Sequence, residues 1–99
     1  MIAKYTDYLW GDSELKEIKI QYDSVDILLY NEVAGHDVKI ECQNCSAISS
    51  ILIGEDWLVD QILYNETGTD GKNQELSIRM ISGAEYCFHA ESIRFVALT

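Results

Sequence analysis

Four side chains have types and spacings that could hold a metal. Cys42-Gln43-Asn44-Cys45 is a C-x-x-C, and Cys87 and His89 lie two residues apart. Three thiolates and an imidazole make a tetrahedral zinc set when they converge. Strand alternation opposes convergence here: Cys42 belongs to an apolar row, while Cys87 and His89 take the face opposite Tyr86 and Phe88. The glycine that tightens a zinc knuckle is missing. A redox C-x-x-C needs its first thiolate at a helix N-terminus in a βαβ setting, and that context is also missing. No metal or cofactor is therefore assigned, and the cysteines read as reduced thiols. A small metal- or ligand-binding domain using Cys42, Cys45, Cys87 and His89 stays as the alternative reading.

His36 beside Asp37 has the make-up of half a catalytic triad, but no nucleophile frame such as G-x-S-x-G accompanies it. It reads as a surface histidine in a turn. Glu55, Asp56 and Asp60 flank Trp57. Carboxylates so grouped can do acid–base work when burial splits their pKa values, or can hold a hard cation. The spacing fits no EF-hand loop. An exposed tryptophan framed by acids suits a protein-docking site, and a buried one does not. Glu55, Asp56, Trp57 and Asp60 are the candidate partner-binding residues, and no catalytic residue is assigned.

The elements that would position these groups are strands. Residues 16–42 read as three strands joined by tight turns. With Asp23-Ser24 as a two-residue turn, Tyr22 opposes Val25, Ile20 opposes Ile27 and Ile18 opposes Leu29. A loop through Glu32 to Gly35 then sets Leu29 against Val38, Ile27 against Ile40 and Val25 against Cys42. The other face carries Leu28 and Tyr30 among lysines whose stems can cover them.

Before this meander, Thr6-Asp7 can cap a short helical turn, and Tyr5, Tyr8, Leu9 and Trp10 pack across one end of the sheet. Gly11-Asp12-Ser13 is a turn. Residues 43–50 read as a loop, followed by a fourth strand at Ile51 to Ile53. Asp60 to Asn65 reads as a strand after a turn at Glu55-Asp56, although residues 45–65 also admit a helix. Residues 67–73 read as a mobile loop tip. A second hairpin pairs Met80 with Ala84, Ile78 with Tyr86 and Leu76 with Phe88, with Gly83 closing a three-residue loop. Alternation breaks at Glu91-Ser92 and resumes through Ile93, Phe95 and Ala97. The expected fold is mainly β: two antiparallel meanders packed as a small sandwich or barrel.

Ninety-nine residues make one domain, spanning 1–99. The net charge is −10, and its distribution is uneven. Residues 40–71 carry Glu41, Glu55, Asp56, Asp60, Glu66 and Asp70 with no lysine or arginine. This opposes binding to nucleic acid or to an anionic membrane surface, and it suits a basic protein partner. The first dozen residues lack a secretory h-region, and no apolar run reaches membrane-spanning length, so a cytoplasmic protein is expected. An exposed strand edge would also support a homodimer.

Trp10, Asp12, Ser13, Leu15, Ile18 and Ile20 follow a pattern of an aromatic, Asp-Ser and a first strand of alternating Leu and Ile. In this the chain resembles small bacterial domains, some of them immunity proteins encoded beside toxins. The resemblance covers under a fifth of the chain. A histidine frequent before the aspartate is Gly11 here, and no binding residue carries over. Many such domains are uncharacterised. Taken with the acidic stretch 40–71 and the absence of a catalytic motif, the resemblance leads to a non-enzymatic protein-binding domain, and among its members to an immunity protein neutralising a basic toxin.

Overall fold

The computed structural model describes residues 2–51, 57–67 and 73–99. Within them the chain forms seven strands: β1 (Ile2–Ala3), β2 (Glu14–Ile20), β3 (Ser24–Asn31), β4 (His36–Ile51), β5 (Val59–Thr67), β6 (Asn73–Met80) and β7 (Glu85–Leu98). A short 3-10 turn at Tyr5–Asp7 follows β1, and Asp7 Oδ2 accepts the Lys4 N–H at 2.8 Å. The strands make one antiparallel sheet in the order β2-β3-β4-β7-β6-β5, with β1 added to β7. The two expected meanders are there, β2-β3-β4 and β5-β6-β7. They are halves of a single sheet, joined through the long β4–β7 pair.

The rows between β3 and β4 are those expected: Val25 opposite Cys42, Ile27 opposite Ile40 and Leu29 opposite Val38. All six are buried, and Gly35 takes its positive φ of 77° in the intervening turn. The β2–β3 pairing differs from expectation by two residues. Ile20 opposes Val25 and Ile18 opposes Ile27, because the turn is Tyr22-Asp23, closed by Gln21 N–H to Ser24 O at 2.8 Å. A shift of two keeps every side chain on its face, since strand side chains alternate with period two. It does release Tyr22 from the row, and the ring is fully exposed. A bulge at Lys16 then returns Leu15 to the buried face, opposite Leu29.

The loop expected over 43–50 is instead strand. β4 runs on to Ile51 through a register shift between Cys45 and Ala47, with Asn44 in the left-handed region at φ 53°. Asparagine tolerates that conformation, so the strand bends there without ending. Cys45 N–H also donates to Asp23 O at 2.8 Å. β5 is a strand as expected. A register shift between Val59 and Gln61 lets Val59 and Ile62 both face inward. The second hairpin holds its expected pairs, Ile78 with Tyr86 and Leu76 with Phe88, and Gly83 sits at φ 98°. β7 is one long strand: its first half pairs with β6 and its second half with β1. The turn expected at Glu55-Asp56, Leu52 and Ile53 of the expected fourth strand, and most of the 67–73 tip lie outside the described residues.

Inner faces of both meanders feed one core, with Ile27, Leu29, Ile40, Ile62, Leu76, Ile78 and Phe88 among its buried members. Tyr5, Tyr8 and Trp10 pack against this core, as expected of the N-terminal aromatics. Leu9 does not: it is 70% exposed, and its carbonyl instead accepts from Asn31 Nδ2. The sheet is bent so that its two end strands approach each other. Asp12 N–H donates to Val59 O, Val59 N–H to Ser13 O and Leu15 N–H to Trp57 O, each at 2.8 Å. The sheet is not closed into a barrel.

Candidate functional site

The four metal-competent side chains do not meet. Cys42 lies opposite Ile93, whereas Cys87 lies opposite Ser49, seven positions further along β4. At the strand rise that offset is roughly 20 Å. Cys42 is fully buried, and burial pushes its thiol up to about 12. Cys87 sits on the outer face, with Sγ 3.3 Å from Glu85 Oε1 and 3.4 Å from Ser77 Oγ. His89 Nδ1 lies 3.4 Å from Glu75 Oε1. No group of three or more His, Cys, Asp or Glu among the described residues is arranged to hold a metal.

His36 opens β4 and is half-buried, rather than sitting in the turn. Its Nδ1 is 2.9 Å from Asp37 O, and its ring meets Tyr8 edge-on. The Asp37 carboxylate pairs with Lys16 at 3.1 Å, so the two neighbours do not form a His–carboxylate relay.

Of the sequence-predicted partner-binding residues, Trp57 and Asp60 are described and both are exposed, Trp57 at 65%. Glu55 and Asp56 lie outside the described residues. The backbone bonds at the β2–β5 junction bring the start of β2 against residues 57–59. Glu14 is bridged to Leu58 on one side and paired with Tyr30 on the other, so these three share the outer face. With Asp12 and Glu32 they line a hollow of about 190 Å³. Asp12 reaches it from a turn that holds it at φ 64°, a conformation aspartate accepts better than most residues.

The junction gathers several acids that form no ion pair among the described residues, as is also true of Glu17, Asp23, Asp26, Glu66 and Glu91. Elsewhere Asp37 pairs with Lys16, Glu41 with Arg94 and Lys39, and Glu85 with Arg79, while Glu75 lies 3.4 Å from the His89 ring. Asp12, Glu14, Glu32 and Asp60 have no ion-pair partner among the described residues. The arrangement offers an excess of negative charge, with the Lys16 ammonium 5.8 Å from the Tyr30 ring centroid, beside apolar surface: Leu58, and Ile81, whose N–H donates to Leu58 O. Sequence reading missed Asp12, Glu14 and Glu32 because they come from different strands and turns. The one local signal was a strand opening on acids next to a turn.

No protein-family model matches the chain, and no curated protein matches it.

Proposed function

We propose that the chain is a non-enzymatic, acidic protein-binding domain that docks a basic protein partner at the β2–β5 junction. The carrying observation is that Asp12, Glu14 and Glu32, none of them in an ion pair among the described residues, line one hollow with Leu58, while Trp57 and Asp60 are exposed close by in sequence. Unpaired carboxylates steer a cationic partner, and adjacent exposed apolar and aromatic side chains supply area to bury. The hollow at the junction holds about 190 Å³. It falls short of the roughly 300–1,000 Å³ usual for small-molecule sites, so the junction suits a macromolecular partner better than a small ligand. The resemblance over Trp10 to Ile20 supports reading that partner as a basic toxin, which the domain neutralises as an immunity protein.

The test is capture from native lysate on the immobilised domain, eluted by a salt gradient. The same capture is run on the Asp12→Asn/Glu14→Gln/Glu32→Gln variant. The expected result is a basic protein held by the unmodified domain, released by salt and lost with the variant. Absence of a salt-sensitive partner, or equal retention by the variant, refutes the reading.

A further inference from the structure

β2 stands at one end of the strand order, and beyond the junction its outer edge has no strand partner among the described residues. The Gln21 N–H to Ser24 O bond marks the hydrogen-bonded positions of the hairpin. Counting back by twos, Lys19 and Glu17 turn their backbone groups toward β3, and Ile18 and Ile20 turn theirs outward. Glu17 and Lys19 are exposed on the outer face, and Ile20 is 61% exposed although it belongs to the inner row.

We propose that this edge pairs with the same edge of a second copy of the chain, antiparallel, about a two-fold axis through Ile18. An edge with outward N–H and C=O groups is a template for another strand, and a two-fold makes the contact self-complementary. The charges select the register. An axis through Ile18 sets Glu17 of each copy opposite Lys19 of the other, at the closer, non-hydrogen-bonded spacing. An axis through Lys19 would set the two ammonium groups face to face. An axis through Ile20 would oppose Ile18 to Tyr22, which lies in the turn beyond the strand. Only the Ile18 register satisfies both pairs at once, and it also joins the two inner apolar rows. The bulge at Lys16 ends the pairing, so the contact is short and the association reversible. This inference is independent of the docking reading, because Asp12, Glu14 and Glu32 take no part in the pairing.

Sedimentation equilibrium over a wide concentration range at about 0.15 M salt tests it; the screening length of about 8 Å damps the repulsion between two acidic copies but not the close pairs. The expected result is a monomer–dimer equilibrium. Glu17→Lys alone and Lys19→Glu alone each put like charges opposite and weaken dimerisation by roughly fivefold or more. The combined Glu17→Lys/Lys19→Glu chain exchanges the signs and restores it. These positions are exposed, and circular dichroism checks that each variant is folded. A chain monomeric at every concentration, a dimer indifferent to the single changes, or a double variant that stays weak overturns the proposal.

Discussion

Asn31 Nδ2 lies 3.1 Å from Ser13 Oγ, and both side chains are buried. The same amide nitrogen donates to Leu9 O at 2.9 Å, and Asn31 Oδ1 accepts the Ala34 N–H at 2.9 Å. One side chain thus ties the N-terminal segment, the end of β3 and the β3–β4 turn together. Asn31→Ala leaves the Ala34 N–H and the Leu9 carbonyl without this partner. A loss of about 1–3 kcal/mol is expected, read as a lower urea midpoint with an unchanged slope.

Ile27 is fully buried between Ile18 and Ile40, whereas Leu63 on β5 is 46% exposed. Ile27→Ala is expected to cost about 2–5 kcal/mol, and Leu63→Ala within about 0.5 kcal/mol of nothing. Equilibrium denaturation of the two variants checks the contrast.

Gly35 and Gly83 hold φ values of 77° and 98°, and an added Cβ would meet no atom within 4 Å at either site. The cost of alanine there is therefore backbone strain alone. Gly83→Ala and Gly35→Ala are each expected to lower stability by about 1–2 kcal/mol. A thermal midpoint that does not move would contradict this.

Two groups give opposite pH dependences. The Glu41 carboxyl is held below its ordinary 4.5, chiefly by the hydrogen bond from Arg94, whose Nη2 is 2.7 Å away. Its contribution is present above the ordinary value and is lost as pH falls through the lower, folded-state value. The buried Cys42 thiol, raised from 9.0 to about 12 by desolvation, contributes fully below pH 9 and loses that contribution as pH climbs toward 12. Glu41→Gln is expected to flatten the acid limb of a stability–pH profile, and Cys42→Ala the alkaline limb. A disulfide reagent at pH 8 is expected to label half-buried Cys87 well before Cys42, which reacts only on unfolding.

Charge reversal at the junction separates binding from folding. Glu14→Lys/Glu32→Lys is expected to abolish capture of a basic partner while leaving stability unchanged or slightly raised, because it relieves repulsion among Asp12, Glu14 and Glu32. Capture and denaturation run on the same sample decide it.

The amino-acid order by itself determined the β class, the rows Val25–Cys42, Ile27–Ile40 and Leu29–Val38, and the glycine-closed hairpin at Gly83. Each depends on residues at most about twenty positions apart, where alternation and turn chemistry leave little freedom. Tertiary structure decided the rest. The choice between Tyr22-Asp23 and Asp23-Ser24 as the turn preserves every face, so hydrophobic rows could not discriminate the two. β4 runs through 43–50 because β7 offers it an edge and Asn44 accepts the bend, a pairing between segments about forty residues apart. Asp12, Glu14, Glu32 and Leu58 meet only because the bent sheet brings β2 against the start of β5. The acids opening β2 beside a turn are visible locally, but their meeting with Glu32 and Leu58 is not encoded near any one of them.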